Sequence, residues 1–408
     1  MRCGLLGEHL AHSYSPEIHQ MLGEYSYELF EIAPEDLDAF LRSDSFDALN
    51  VTIPYKRSVI PYCATLSDAA KAIGSINTLL RRPDGTLHGD NTDSFGFHWL
   101  LERSCDVSAV KKALILGSGG ASLTVQQVLK DLGIEYTVFS RQGPNTYDTL
   151  PYHKDAQLVV NATPVGMYPN NGGRLIDLSL LPECRCVLDL IYNPARTQLL
   201  LDAEALGIPR ENGLPMLVAQ AKYAAELFTG KHIPNTKIDD ILCKLKKDMT
   251  NIILIGMPGC GKSTVGRILA ESLHRPFYDA DEVLTEKLGC SIPECFAQKG
   301  ESAFRKAETE VLRDLGKQSG CVISTGGGCV TCPENYAYLH QNGMIFWLNR
   351  ELCKLPLEGR PISQSVSLEA LYAQRAELYA RFADIAIENH HTPEETATQI
   401  KQLFGLER

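Results

Sequence analysis

No apolar run in this 408-residue chain approaches the roughly 20 residues needed to cross a bilayer. The opening Met1-Arg-Cys-Gly-Leu-Leu-Gly7 does not lead into the long apolar stretch and small-residue cleavage site of a secretory signal. The expected location is therefore cytoplasmic. Positive charge is also short, with 39 Lys and Arg against 50 Asp and Glu and a formal net charge of −11. That balance argues against nonspecific binding to nucleic acid or an anionic membrane. Any anionic substrate must be held by local cations and not by a global field. No short repeat or low-complexity tract is present. The 13 cysteines are odd in number and lack a framework spacing, so in a large cytosolic chain they read as reduced thiols. Cys184-x-Cys186 is too tight for a usual zinc pair, and Cys329-x-x-Cys332 has no second pair at zinc-site spacing. Neither a zinc site nor thiol redox chemistry is expected of these cysteines.

The chain does have two glycine-rich loops in series. Gly117-Ser-Gly-Gly-Ala121 follows the apolar run Ala113-Leu-Ile-Leu116, and Gly256-Met-Pro-Gly-Cys-Gly-Lys-Ser-Thr264 follows Asn251-Ile-Ile-Leu-Ile255. Such a turn between a buried strand and a helix brings backbone N–H groups and a helix N-terminus against phosphate. Only the second carries Lys262 and Ser263, which suit a triphosphate with Mg²⁺. The combination points to one chain handling a dinucleotide and a nucleoside triphosphate, two enzymes joined end to end. A length of 408 residues agrees, because one core rarely serves so long a chain.

Short apolar runs at 113–116, 135–139, 157–161 and 186–190, separated by helix-length segments, predict a parallel sheet with crossover helices. Upstream, Met1–Gly7 and Ala48–Ile53 read as strands, and Pro16–Tyr25 as a helix opened by Ser15. Gly213–Thr229 reads as a helix. A short amphipathic segment then ends in Lys244-Leu-Lys-Lys247, and the linker is expected near Lys246–Asn251. Beyond it, strands are predicted at 251–255, Pro276–Asp279, Cys321–Ser324 and Met344–Leu348, with a helix from Lys262. The fold class is α/β throughout.

In the first half, Ser140-Arg141 follows the predicted strand at 135–139, where an acidic residue would bind the ribose 2′-hydroxyl of NAD. A guanidinium there suits a 2′-phosphate, which favours NADP, although a plain surface arginine would look the same. His12-Ser13-Tyr14-Ser15-Pro16 places two hydroxyls on one side of an extended segment. Asn50-Val-Thr-Ile-Pro-Tyr-Lys56 ends a strand with Thr52 and Lys56, and Gly89-Asp-Asn-Thr-Asp93 sets a carboxylate in a tight turn. Taken singly, Ser15 and Asp93 read equally as helix caps and Lys56 as a solvated lysine.

Together these pieces resemble the shikimate dehydrogenase family. The others are Gly74-Ser-Ile-Asn-Thr78, Asn161-Ala-Thr-Pro164, Asp189-x-x-Tyr-x-Pro194 and Gly213-Leu-Pro-Met-Leu-Val-Ala-Gln220, all in the family's order across residues 1 to about 240. The resemblance implies a substrate domain (1–105 and 213–245) around a Rossmann-like NADP domain (106–212). It implies that Ser13, Ser15, Thr52, Asn77, Tyr192 and Gln220 hold the substrate, with Lys56 and Asp93 as the catalytic pair. Gly117, Gly119, Gly120, Ala121, Arg141, Thr163 and Gly213 fall to the cofactor. Two departures stand out: Ser140-Arg-Gln142 replaces the family's Asn-Arg-Thr, and Gly7-Glu-His-Leu-Ala-His12 replaces its Gly-x-Pro opening.

In the second half, Gly256–Thr264 is a full P-loop, whose Lys262 reaches the β- and γ-phosphates and whose Ser263 ligates Mg²⁺. Asp279-Ala-Asp281 ends a predicted strand, which turns both carboxylates one way. One can serve Mg²⁺ and the other can accept a hydroxyl proton. Arg305 and Glu308 share a helix face, and Gly326-Gly-Gly328 offers bare backbone. This set resembles shikimate kinase, along with Gly300-Glu-x-x-Phe-Arg305-x-x-Glu308, Thr325-Gly-Gly-Gly328, Arg360-Pro361 and Gln374-Arg-x-x-Leu-Tyr379, covering about 251–408 within an expected domain of 249–408. The resemblance implies that Asp281, Arg305, Gly327, Gly328 and Arg375 bind shikimate. It gives Gly259, Gly261, Lys262, Ser263 and Thr264 to ATP, Ser263 and Asp279 to Mg²⁺, and catalytic roles to Lys262, Asp281 and a lid residue, Arg360. The segment Leu352–Glu358 lacks the arginine that the family often carries before Arg-Pro.

The leading expectation is a bifunctional enzyme that reduces 3-dehydroshikimate with NADPH and phosphorylates the resulting shikimate with ATP. Its partners are these small molecules, with no nucleic acid and no membrane. Two alternatives remain: the same folds acting on quinate or a related polyhydroxy acid, and one half that is inactive and regulatory.

Overall fold

The computed structural model describes residues 1–10, 13–355 and 367–406. His12, Arg360 and Pro361 lie outside them. The chain divides into two compact units, Met1–Tyr192 with Leu199–Leu242, and Asn193–Gln198 with Cys243 onward.

The first unit holds two sheets. One comprises β1 (Arg2–Gly7), β2 (Ser26–Glu31), β3 (Ala48–Val51), β4 (Cys63–Leu66), β5 (Thr78–Arg81) and β6 (Leu87–Asp90), in the order β2-β1-β3-β5-β6-β4. β1 runs parallel to both its neighbours, whereas β3–β5 and β5–β6 are antiparallel. All four residues of β3 are buried, as a central strand requires. β3 stops at Val51, two residues short of expectation. Thr52 starts a turn closed by the Tyr55 N–H on the Thr52 carbonyl at 2.9 Å, and this turn leads on to Lys56.

The other sheet is parallel throughout: β7 (Lys112–Leu116), β8 (Glu135–Phe139), β9 (Leu158–Asn161), β10 (Cys186–Asp189) and β11 (Arg210–Glu211), ordered β11-β10-β9-β7-β8. Its two faces have separate cores. Ala113 and Ile115 pack with Val125, Val128 and Leu129 on one side, and Leu114 and Leu116 pack with Leu150, Leu199 and Leu200 on the other. Period-2 alternation sends neighbours to opposite faces, and burial on both sides explains why the strands read as unbroken apolar runs.

The second unit is built on β12 (Asn251–Ile255), β13 (Phe277–Asp279), β14 (Val322–Ser324), β15 (Gly343–Asn349) and β16 (Ile385–Glu388), ordered β13-β14-β12-β15-β16 and parallel throughout. The linker expected near Lys246–Asn251 is mostly helix. Thr236–Met249 is helical and leads through Thr250 into β12. Ile238, Ile241, Leu242, Leu245 and Met249 are buried at helical spacing, and packing of that stripe outweighs the lysines that suggested a break.

Candidate active sites

In the first unit a cavity of about 310 Å³ is lined by Ser13, Ser15, Thr52, Lys56, Asn77, Asp93, Tyr192 and Gln220, together with Ala121 and Gly213. Sequence motifs more than 200 residues apart thus meet at one place. The Lys56 ammonium lies 2.6 Å from the Asp93 carboxylate, with side chains 32% and 17% exposed. Asp93 is the first residue of the helix Asp93–Ser104. Its carboxylate faces the lysine, and no side-chain cap bond forms at that helix N-terminus.

Behind the ion pair lies a buried polar lattice. Asn77 Nδ2 donates to Thr92 Oγ1 at 2.9 Å and to Gln220 Oε1 at 3.3 Å, and the Thr92 N–H donates to Asn77 Oδ1 at 2.7 Å. These bonds hold the two amides in place before any ligand arrives. Asn50, also on the cavity wall, accepts from the Tyr27 hydroxyl at 2.8 Å. His19 stacks on Tyr27 at 3.9 Å, and burial pushes its imidazole down to about 3, so the ring is neutral. Neither Asn50's wall position nor the Tyr27–His19 backing was foreseen. Asn50 heads a quoted motif, which was a usable signal, whereas Tyr27 carries none.

The extended geometry expected for Ser13–Ser15 is not found. Tyr14 is in the right-handed helical region, and Ser15 is the first residue of the helix Ser15–Leu22. Pro16 favours helix initiation just there. Ser15 is not the cap, and its N–H donates to Ser13 Oγ at 3.2 Å. Both hydroxyls reach the cavity even so.

At the first glycine-rich loop, Gly117 has φ +107°, and a Cβ there would lie 2.7 Å from Thr163 Cγ2. Gly119 and Gly120 are different: a Cβ at either would meet no atom within 4 Å. Their backbone is bare to open space at the N-terminus of the helix Gly120–Asp131, which fits a dinucleotide pyrophosphate. Thr163 Oγ1 donates to Asn161 Oδ1 at 2.7 Å. Arg141 is exposed after β8 and lines no part of the 310 Å³ cavity.

The second unit holds a larger cavity of about 850 Å³, within the usual range for small-molecule sites of roughly 300–1,000 Å³. Gly259, Gly261, Lys262, Ser263, Thr264, Asp281, Arg305, Gly327, Gly328 and Arg375 all line it. Lys262 Nζ donates to the carbonyls of Gly256 and Met257 at 3.0 and 3.1 Å. Ser263 Oγ donates to Asp279 Oδ2 at 2.5 Å. A hydroxyl and a carboxylate so close offer the hard oxygens that Mg²⁺ prefers.

The strand alternation expected for Asp279 and Asp281 does not apply. Asp279 ends β13 and caps the helix Ala280–Leu288, accepting from the Asp281 N–H at 3.0 Å, and Asp281 sits in the first helical turn. Burial raises the Asp281 carboxyl, Asp279 adds to the rise, and Lys262 and Arg305 oppose it. Glu308 is raised by burial as well. Its partner Arg305 donates Nη1 to Glu308 Oε2 at 2.7 Å. Burial lowers the guanidinium, but Glu308 and Glu301 more than offset that, and the net shift is upward. A Cβ on Gly328 would collide with the Arg305 guanidinium, so the bare triglycine backbone makes room for this arginine. Arg375 Nη1 and the Tyr379 hydroxyl both donate to the Gly327 carbonyl, at 3.1 and 2.5 Å. Arg350 and Lys354 also line this cavity and were not anticipated.

Among the described residues no group of His, Cys, Asp and Glu forms a metal cluster, and no helix is long and apolar enough to cross a membrane.

Comparison with known proteins agrees with this geometry. A family model described as shikimate dehydrogenase substrate binding domain matches residues 5–79, and one described as shikimate kinase matches residues 258–404. A relative named shikimate dehydrogenase (NADP(+)), from Halothermothrix orenii, is 36% identical over 261 residues, covering 56% of this chain and 90% of that protein. The crystal structure of a chorismate mutase/shikimate 5-dehydrogenase fusion protein from Clostridium acetobutylicum superposes with a TM-score of 0.56 at 34% identity, over 60% of this chain and 96% of that one. Shikimate 5-dehydrogenase from Thermus thermophilus, solved in complex with NADP(H) and shikimate, gives 0.53 at 32% identity over 59% and 97%. Over its first unit the chain belongs to the shikimate dehydrogenase family, and its second unit carries a shikimate kinase domain.

Proposed function

We propose that this chain is a bifunctional enzyme of the shikimate pathway, which supplies aromatic amino acids. It reduces 3-dehydroshikimate to shikimate with NADPH and phosphorylates shikimate to shikimate 3-phosphate with ATP. The observation that carries this reading is the gathering of two polar sets into two separate cavities, one lined by Gly259, Gly261, Lys262, Ser263 and Thr264 of the P-loop and the other by Ala121 of the first glycine-rich loop. We divide the chain into 1–248 and 249–408, with a substrate domain at 1–105 and 213–245 around a dinucleotide domain at 106–212. We place it in the cytoplasm, a setting consistent with its 13 free cysteines.

In the first site, Ser13, Ser15, Thr52, Asn77, Tyr192 and Gln220 hold the hydroxyls and carboxylate of the substrate. Bound NADPH, with its pyrophosphate against Gly119 and Gly120, supplies the hydride. The Lys56 ammonium stabilises the negative charge that grows on the ketone oxygen and gives that oxygen its proton. Asp93, 2.6 Å away, orients the ammonium. Arg141 meets the 2′-phosphate.

In the second site, Arg305 and Arg375 clamp the shikimate carboxylate, and Gly327 and Gly328 let the acid approach the backbone. ATP bound with Mg²⁺ at Ser263 and Asp279 supplies the phosphoryl group. Asp281 takes the proton of the attacking hydroxyl, and burial makes this carboxylate a stronger base than an exposed one. Lys262 leaves its carbonyl partners and neutralises phosphate charge. Arg360, outside the described residues, is assigned to the same phosphates.

The test is one purified chain given 3-dehydroshikimate, NADPH, ATP and Mg²⁺, with NADPH oxidation and ADP release followed separately. Both should proceed, and shikimate 3-phosphate should accumulate. NADPH oxidation without ADP release would mark the kinase half as inactive, and ADP release that appears only when shikimate itself is added, with no NADPH oxidation, would mark the dehydrogenase half. Quinate deserves the parallel assay, since a quinate dehydrogenase from Corynebacterium glutamicum in complex with NAD superposes with a TM-score of 0.54 at 26% identity. Faster turnover of quinate than of shikimate would overturn the substrate assignment.

A further inference from the structure

The five cations that line the larger cavity among the described residues are not equivalent. Lys262 is held by the carbonyls of Gly256 and Met257, Arg305 by Glu308 and Glu301, and Arg375 by the Gly327 carbonyl. Lys354 lies 3.0 Å from Glu351. Arg350 alone of the five makes no hydrogen bond or ion pair with the described residues, and its Nε is buried without a partner. A buried guanidinium nitrogen with no acceptor has lost water and gained nothing in exchange. An anion entering the cavity would restore the balance.

The sheet order says which anion. β12 leads into the P-loop, and β15 lies directly beside it, with Ile255 opposite Trp347. The contact continues past the end of β12, where a Cβ on Gly256, the first P-loop residue, would lie 2.5 Å from the carbonyl of Leu348 in β15. Arg350 is two residues beyond Leu348. The triglycine loop with Arg305 follows β14, on the opposite flank of β12. Arg350 therefore belongs to the phosphate side of the cavity and not to the carboxylate side. Its fork of N–H donors matches phosphate oxygens.

We infer that Arg350 is a nucleotide-binding residue of the kinase site, contacting the phosphates of ATP. It provides a cation in a region where Leu352–Glu358 contains no arginine. The inference rests on the kinase reading of this cavity, and the experiment separates the two. Arg350→Gln and Arg350→Lys are assayed in the full chain for MgATP and shikimate dependence, alongside wild type. Dehydrogenase turnover of the same samples serves as the control for folding. Arg350→Gln should raise the KM for MgATP on the order of tenfold or more, with the KM for shikimate unchanged within about twofold. Arg350→Lys should recover part of the loss. Binding of GTP, measured by calorimetry without shikimate, should weaken in proportion to ATP, because a phosphate contact ignores the base. An unchanged MgATP KM overturns the inference. So does a rise confined to shikimate, which would move the guanidinium to the carboxylate side. A wild-type chain that turns over no shikimate defeats the kinase reading itself, and nucleotide affinity of Arg350→Gln would then still decide whether the arginine meets phosphate.

Discussion

The two cavities differ in how much of their work is done before a ligand arrives. In the first, Lys56 already faces Asp93 at 2.6 Å, and Asn77, Thr92 and Gln220 are locked together by buried hydrogen bonds. In the second, the described wall cations other than Arg350 are occupied by the protein itself: Lys262 on P-loop carbonyls, Arg305 on two glutamates, Lys354 on Glu351 and Arg375 on Gly327. The difference follows from the ligands. A neutral ketone needs its catalytic charge in position from the start. A triphosphate brings several negative charges, and cations held waiting for it with no partner would repel one another and destabilise the fold. Temporary acceptors in the loop solve that problem, and each exchange has an energetic cost on binding.

The comparison can be broken most sharply at Lys56. Lys56→Ala should lower dehydrogenase kcat by roughly 10²–10⁴-fold, with a much smaller change in KM, because the charge acts mainly in the transition state. Kinase turnover of the same chain should stay at the wild-type level. Near-normal reduction by this variant would mean that the preformed ion pair is structural.

Asp281 tests the second site in the same way. Asp281→Asn should reduce phosphoryl transfer on the order of 10²-fold, the lower range for loss of a general base. The wild-type enzyme should also show the burial of this carboxylate. Its pKa is raised, and the basic form is the active one, so kinase kcat should fall as pH drops through a value above that of an exposed aspartate, about 3.9. A pH–rate profile flat down to the ordinary carboxylate range would remove Asp281 from the proton-transfer step.

Arg305 probes a cation that is occupied before binding. Arg305→Ala should raise the KM for shikimate on the order of tenfold while leaving that for ATP nearly unchanged. The effect includes more than the lost contact, because Glu308, 2% exposed, loses its own cation and then stands unpaired beside the substrate carboxylate. A double substitution with Glu308→Gln checks this coupling. Equal losses in the single and double variants would show that Glu308 takes no part.

Much of this contrast was legible in the sequence. Parallel strands announced themselves as unbroken apolar runs, since both faces of those sheets are covered. The motifs carried the lining of both cavities, because backbone turns such as that at Gly117 admit few residues. Less accessible were features set by packing across distant segments. The helical path of 236–249 depends on what covers Ile238 and Leu245. The true setting of Asp281 depends on Asp279 capping a helix where an extended strand was expected. Tyr27 and His19 lie behind the first site, and neither spacing nor charge marks them. Arg350 shows the same limit, for its importance comes from the order of strands and from what its neighbours hold.

The smallest effect is expected where the first site most resembles the second. Arg141 is exposed and stands apart from the preformed lattice around Lys56. Its proposed partner, the 2′-phosphate, is the only group that distinguishes NADPH from NADH. Solvent screens a charge contact at such a position, and the family's Asn-Arg-Thr is reduced here to Ser140-Arg-Gln142, so neighbouring side chains add little. Arg141→Ala should therefore lower the NADPH/NADH ratio of kcat/KM by only about fivefold to tenfold, mainly through KM for NADPH, with kcat preserved. The loss should shrink at high salt, as expected of a screened contact and not of a buried one. An unchanged ratio at low salt would remove Arg141 from the cofactor site. A collapse of kcat for both cofactors would instead mean that Arg141 supports the geometry of the loop after β8, and the contrast between a prearranged substrate end and an open cofactor end would no longer hold.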